Sequence, residues 1–566
     1  MHPLFSSPSM ASPPLRLLSY LTSLLIFSFL LTATTSSSSN TSSSFSLNPN
    51  NLHSICQSTP YPISCLESQK LSISISINPS ILTFALHSLQ SAISAATKLS
   101  SLLSSTTPGP NLVESQKGSL QDCRDLHQIT LSSLKKSATA LTASGGNLAD
   151  VRAYLSAALT NKATCLEGLA GARGSLKPSL VASWAASYEH VSNSLSLVAS
   201  SGSPRPGGNR RRLLSSGGGG FPAWVSQRDR RLLQSGDDDD DGGDGDDGGD
   251  DSPAVVTVAA DGTGNFTTIG EAIAFAPNNS ADRTIVMVRA GVYEENVEIP
   301  SYKPNIVLIG EGSDVTVIRG SRSVGDEWTT FRSATVAVSG QGFLARDIAF
   351  QNIAGPAKGQ AVALRINADQ AAIYHCIIDG YQDALYVHSF RQFYRECDIY
   401  GTIDFIFGNA AVIFQGCNIV AKKPLPWQSN VITAQSRDDP NEDTGISIQN
   451  CSILASDELT SSNVSTKTYL GRPWRLHSRA VYIESYLDGL VDPAGWTEWS
   501  GDHQGLDTLY YGEYMNSGPG SGTEGRVTWP GYHVMDYDDA SNFTVSEFIY
   551  GDEWLDSTSF PYDDGI

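Results

Sequence analysis

Several chemistries are set aside because their residues are missing. No Cys/His cluster has zinc spacing, no glycine-rich loop suited to phosphate occurs, and there is no Gly-x-Ser-x-Gly nucleophile elbow. Positive charge is also short: 37 Lys+Arg stand against 58 Asp+Glu, a net charge of −21. The deficit lies wholly after residue 251, where 19 basic residues meet 40 acidic ones; before it the count is 18 and 18. A surface of that sign repels a phosphate backbone, so nucleic acid is not an expected partner. The apolar stretch Leu17 to Leu31 falls short of the ~20 residues that cross a bilayer. With Arg16 ahead of it and small residues behind, it reads as a signal peptide over residues 1–34, an uncleaved signal-anchor being the alternative.

Export makes disulfides possible. The eight cysteines form two groups of four: Cys56, Cys65, Cys123 and Cys165, then Cys376, Cys397, Cys417 and Cys451. Asn-x-Ser/Thr sequons begin at Asn40, Asn265, Asn278, Asn450, Asn463 and Asn542, as suits a secreted glycoprotein.

The 566 residues divide by texture. Residues 35–50 are Ser/Thr/Asn-rich and cannot bury a core. Residues 50–200 are rich in Ala, Leu, Ser and Lys. Apolar positions recur at three and four there, as in Val151, Tyr154, Leu155, Ala158 and Leu159, which predicts an all-α bundle. Cys56 and Cys65 bracket Thr59-Pro60-Tyr61-Pro62 and can staple a hairpin, while Cys123 and Cys165 can tie two helices. Residues 201–251 form a linker, first Arg- and Gly-rich, then Asp-rich. Its two near-identical strings, Arg211-Arg212-Leu213-Leu214 and Arg230-Arg231-Leu232-Leu233, read as sites for a processing protease. Residues 252–566 carry short β-rich runs punctuated by Gly and Asn.

A repeat organises this last part. Cys376-Ile-Ile-Asp-Gly, Cys397-Asp-Ile-Tyr-Gly, Cys417-Asn-Ile-Val-Ala and Cys451-Ser-Ile-Leu-Ala align without gaps, and Arg346-Asp-Ile-Ala-Phe makes a fifth. Steps of 21, 20 and 34 residues around a constant core predict coils of an all-β parallel β-helix, stacked ~4.8 Å apart with loops of unequal length.

The chemistry follows from the register. Asp383 lies seven residues after Cys376, and Asp404 seven after Cys397, so stacking puts both carboxylates at one position on adjacent coils. A lone Asp beside a turn is ordinarily a turn residue; the shared register singles this pair out. Carboxylates that close do not ionise together, which leaves a proton donor beside an anionic nucleophile. Arg472 can select which one stays charged. Gln382 and Gln360 are neutral donors for an oxyanion, and Tyr386, Phe405, Trp474 and Trp496 offer flat faces to sugar rings. His375 and His388 have no partner pattern and read as structural or exposed.

Five ordered blocks carry a resemblance: Gly291-Val-Tyr293-Glu-Glu295, Gln360-Ala-Val-Ala-Leu364, Gly380-Tyr-Gln-Asp383, Gly401-Thr-Ile-Asp-Phe-Ile-Phe-Gly408 and Leu470-Gly-Arg-Pro-Trp474. Residues 252–566 resemble plant pectin methylesterases. Residues 50–200 resemble the pectin methylesterase inhibitor domain, through Cys56 to Cys65, Gln121-Asp-Cys123 and Asp150-Val to Thr164-Cys165-Leu166. The resemblance implies a right-handed parallel β-helix preceded by a four-helix-bundle pro-domain. It implies a monomeric, cell-wall ester hydrolase that demethylates homogalacturonan with no metal or cofactor. Asp404 matches the nucleophile, Asp383 the acid/base, and Gln382 the transition-state stabiliser. Gln360, Thr330, Arg472 and Trp474 match substrate-binding and orienting positions. The family usually has Thr where this chain has Ala384; alternation turns that residue away from Asp383, so activity is expected to survive. Methylesterified pectin, the chain's own pro-domain and separate inhibitor proteins are the implied partners. Cys397 and Cys417 share a slot on neighbouring coils, within bonding reach, and the resemblance implies that bridge too; Cys376 and Cys451 are then free and buried. The rival readings are another pectin-acting β-helix enzyme, a glycosidase or lyase, and a catalytically inactive inhibitor or binding protein. The paired carboxylates would also serve glycoside hydrolysis, but the five esterase blocks favour the ester hydrolase.

Overall fold

The computed structural model describes residues 51–70, 80–109, 111–201, 254–463, 465–499, 501 and 503–566. The expected signal segment, the sequon at Asn40 and both basic tetrapeptides lie outside the described residues. Six helices come first: α1 (Asn51–Gln57), α2 (Pro62–Lys70), α3 (Ile81–Ser105), α4 (Ser119–Thr142), α5 (Leu148–Gly168) and α6 (Lys177–Ser201). Side chains set their starts. The Ser80 hydroxyl accepts the Thr83 N–H ahead of α3, and the Asn147 amide oxygen accepts the Ala149 N–H at 2.9 Å ahead of α5. The apolar stripe of α3, Phe84, Leu89, Ala92, Ala96, Leu99 and Leu103, is buried, as three-four spacing requires. The four long helices pack α3 on α6 and α4 on α5, around Trp184 and Tyr188. Disulfides join Cys56 to Cys65 and Cys123 to Cys165, as expected. The second closes a 42-residue separation, which by chain entropy alone is worth about 4 kcal/mol.

From Ala254 on, every strand pairing is parallel, and the strands gather into sheets of eleven, eight and seven. A parallel β-helix is the result, one strand per sheet in each turn. Ile378, Ile399, Ile419 and Ile453 stack in register, so the repeat read from the sequence is a true column. Its fifth member is displaced. Ile377 pairs with Ala349, which puts Phe350, not Ile348, beneath Ile378. Residues two apart share a face, so an apolar pattern alone does not separate these registers.

The expected Cys397–Cys417 bridge is absent: Cys376, Cys397, Cys417 and Cys451 are all free and buried. Coil stacking explains it. Each sulfur turns to the backbone of the preceding coil: Cys417 Sγ accepts the Cys397 N–H at 3.4 Å, and Cys451 Sγ accepts the Cys417 N–H at 3.3 Å. The Cys397 thiol lies 3.3 Å from the Arg395 carbonyl oxygen, and that of Cys417 lies 3.6 Å from Tyr394 O. Cα atoms one coil apart satisfy only half of the bonding geometry.

The interior of the coil is a closed core built wholly from residues after Ala254, among them Val286, Leu308, Ile366, Phe405 and Tyr482. Nothing from α1 to α6 enters it, so this part has the core it needs to fold alone. Two outer faces are covered. Phe543, Phe548, Trp554 and Phe560 of the C-terminal segment lie on the eleven-stranded sheet. The helices lie on the seven-stranded sheet, where Phe331, Tyr386, Phe407 and Ala434 join the core of the bundle. The described residues of both parts belong to one compact unit.

Candidate active site

The seven-stranded sheet includes the strands Leu364–Asn367, Leu385–Ser389, Ile406–Gly408 and Thr468–Gly471. Asp383 and Asp404 stand just before the second and third of these. Leu385 pairs with Ile406, so the aspartates share a position on adjacent coils, one strand spacing (~4.8 Å) apart. Both have left-handed backbones, with φ of 62° and 50°. Asp tolerates that region better than most residues. The kink sends each carboxylate outward while the next residue, Ala384 or Phe405, turns into the core. Glycine makes the return possible: a Cβ on Gly401 would lie 2.1 Å from that of Phe405. Ala384 therefore faces away from Asp383, as expected, although the kink and not strand alternation turns it, since Leu385 is buried in the same core.

Arg472 follows the strand Thr468–Gly471 and grips Asp404 with two parallel bonds, Nε to Oδ1 at 2.8 Å and Nη2 to Oδ2 at 2.6 Å. Such a fork is among the stronger polar contacts proteins make. Trp499 backs the guanidinium at 4.3 Å and stacks on Trp474. Asp383 and Asp404 are only 7% and 4% exposed. Burial drives the Asp383 carboxyl well above the usual carboxylate range, the charge of Asp404 adds to it, and Arg472 opposes. Burial raises Asp404 too, but the Arg472 fork pulls it back. Asp404 is therefore the member that ionises first, and Asp383 the one that keeps a proton.

A cavity of about 240 Å³ holds the pair. Thr330, Gln360, Gln382, Tyr386, Arg472 and Trp474 line it, all of them singled out in the sequence. Gln360 and Gln382 come together because the Ala361 N–H donates to the Gln382 carbonyl at 3.1 Å. Two expected sugar faces are not there. Phe405 is core, and Trp496, 1% exposed, stacks inside on Tyr511. The left-handed Asp404 turns Phe405 into the core next to Ile406, and alternation begins only with the strand at Ile406, which puts Phe407 out. Phe331, Phe407 and Trp499 line the cavity instead. Phe407 was legible: it pairs with Tyr386 one coil away.

The other wall belongs to the helices, through Gln116, Asp122, Thr164, Glu167 and Gly168. Around it, Thr164 meets His388 Nε2 at 2.9 Å, Asn409 donates to Thr160 at 2.9 Å, and Arg391 bridges Asp150 and Asp369. His388 is thus fully buried at this contact, its imidazole held well below the usual range by burial and then by Arg365. His375 is the exposed one and pairs with Asp347.

Comparison with known proteins decides the family. Residues 255–552 match the pectinesterase family model, and residues 50–197 match that for plant invertase/pectin methylesterase inhibitors. A "Probable pectinesterase/pectinesterase inhibitor 12" of Arabidopsis thaliana is 60% identical over 92% of this chain and 95% of its own. The chain belongs to the pectinesterase family. It is a carboxylic ester hydrolase of pectin that carries an inhibitor-type helical region. "Pectinesterase 2" of Citrus sinensis is 43% identical over 93% of this chain and 96% of its own. The solved pectin methylesterase from carrot superposes with a TM-score of 0.54 at 52% identity, covering 55% of this chain and 98% of that one. This pectinesterase thus consists of a part that matches nearly the whole solved carrot chain and a helical part docked on its active face. No helix among the described residues is long and apolar enough to cross a membrane.

Proposed function

We propose that this pectinesterase demethylates homogalacturonan by covalent catalysis, with Asp404 as nucleophile and Asp383 as acid and base. The carrying observation is the Arg472–Asp404 fork beside a second buried carboxylate on the next coil. Asp404 attacks the ester carbonyl carbon. The amides of Gln382 and Gln360 stabilise the oxyanion. Methanol leaves with the proton of Asp383, and an anhydride joins substrate and Asp404. Asp383, now ionised, takes a proton from water, the hydroxide opens the anhydride, and both aspartates are restored. Thr330 and Trp474 hold the sugar chain, and the chemistry calls for no metal. The test is methanol release by Asp404→Asn: near-normal turnover sinks the assignment.

On this reading residues 50–200 are a pro-domain, 201–251 a processing linker and 252–566 the enzyme. The pro-domain silences the enzyme by occupying the mouth of the cleft. Cutting after Leu214 or Leu233 ends the tether, and with it the high local concentration, roughly millimolar for a short flexible link, that holds the cover in place. Secretion through a signal peptide over residues 1–34 delivers a monomer to the cell wall, where separate inhibitor proteins can take the same place. Changing both Arg-Arg pairs to Ala should yield an uncut chain of low activity. Full activity of that uncut chain refutes the regulatory half.

A further inference from the structure

Asp122, on the first turn of α4, is 2% exposed and points away from its own bundle. Its carboxylate accepts Arg332 Nε at 2.6 Å and the Thr329 hydroxyl. Behind them Arg365 lies flat over the Phe331 ring at 3.4 Å, 3% exposed, with no hydrogen-bond partner for Nε or Nη1. A guanidinium buried without partners is costly, and a fold keeps one only where an anion repays it. The charge that most supports Arg365 is Asp122 of the cover, ahead of Glu298 of the coil, which also lies 3.8 Å from Arg332 Nη1. Asp122 and Thr329 line the same cavity as Asp383 and Asp404. Arg365 is in register with Tyr386, which lines that cavity, so the two arginines lie at its edge toward the N-terminal coils, with Asp122 and Thr329 between them and the open space.

A methylesterified galacturonate is neutral and gains little from two guanidiniums. A de-esterified one carries a carboxylate of the same shape and charge as Asp122. We infer that Thr329, Arg332 and Arg365 form a subsite for the free carboxylate of an unesterified galacturonate residue, and that Asp122 fills it as an internal stand-in for that ligand. The inference rests on the proposed reading of the cleft as the galacturonan site. It makes an acid sugar at one end of the cleft a determinant of which ester is cleaved next. It also makes unesterified chain a competitor of the helical cover.

The test uses residues 252–566 with Arg332→Gln and Arg365→Met, the latter keeping a long side chain over Phe331. Two readouts are needed. One is binding of a short unesterified oligogalacturonide by calorimetry, which requires no turnover. The other is the ratio of kcat/KM on partly de-esterified galacturonan to that on fully methylesterified galacturonan. Loss of a charge-assisted contact should weaken oligogalacturonide binding about tenfold in each variant and lower the ratio by a similar factor. The full chain should bind the oligogalacturonide far more weakly than the part, and Asp122→Ala in the full chain should recover binding. Unchanged binding and an unchanged ratio in both variants overturn the subsite. Failure of the catalytic reading shows separately, as absence of methanol release from the unsubstituted part with binding intact.

Discussion

The C-terminal segment lies on the eleven-stranded sheet through Phe543, Phe548, Trp554, Phe560 and neighbours, which form one continuous apolar cluster with Ile285, Phe393 and Ile413. The helices lie on the seven-stranded sheet through a few aromatics at the centre and a broad ring of polar contacts: Arg332 with Asp122 and Asp125, Arg391 with Asp150, Arg475 with Glu167, Ser192 with Asp439. The first resembles a domain interior, the second an interface between separable proteins. Each matches its position in the chain. The C-terminal cover joins the coil directly, whereas the helical cover joins through residues 202–253. An apolar surface must stay covered to be stable in water, while a cleft that ends in charged and hydroxyl groups can be rehydrated or filled by substrate.

That contrast can be broken at several places. Asp404→Asn should lower methanol release at least about a thousandfold, whether or not the helical cover is present, because the loss is chemical. Trp554→Ala should cost the C-terminal cover about 3–5 kcal/mol, read as a fall in the urea midpoint of residues 252–566. Asp122→Ala strips one partner from Arg332 and the main support from Arg365. It should weaken docking of the helices by about 2 kcal/mol, raise full-chain activity severalfold, and leave the unfolding midpoint of the β-helix in place. If Trp554→Ala frees activity and Asp122→Ala unfolds the coil, the roles of the two covers are reversed.

The smallest expected effect concerns the cleft floor. Asp383 is held above its ordinary value by burial and by Asp404, so the folded chain binds its proton more tightly than the unfolded chain does. Its contribution is therefore full at acid pH and lost as pH rises from the unfolded value, about 3.9, through the raised one. Asp383→Asn should stabilise the β-helix by about 1 kcal/mol at neutral pH. The gain should vanish below about pH 4, the unfolded value. Thermal unfolding across pH reads this, while activity is lost. In the active enzyme, turnover should fall at high pH as Asp383 loses its proton, and at low pH as Asp404 gains one.

Much of the site was legible because a coiled chain repeats. Equal seven-residue steps from Cys376 and Cys397 were enough to stack Asp383 on Asp404, and the helical spacing of residues 50–200 was enough for the bundle. Phase was harder. The left-handed residue at Asp404 interrupts the alternation, so Phe405 and Ile406 both turn inward and Phe407 is the first to point out. Cys397 and Cys417 showed that sharing a slot fixes a distance but not a direction. Arg472, 68 residues beyond Asp404, was readable as the charge that chooses between the two acids, but which acid it holds came only through resemblance to the family.

The sequence by itself determined the local and periodic facts: helices before residue 201, coils after 253, two acids in one register. Each depends on neighbours a few residues apart or on a repeat that copies them. Only the tertiary structure decided what lies across the cleft. The Asp122–Arg332 pair spans 210 residues, and no periodicity links a helix of one part to a short 3-10 turn of another. Their meeting is set by the fit of two folded surfaces, and that fit puts a carboxylate of the cover against the arginines of the site it closes.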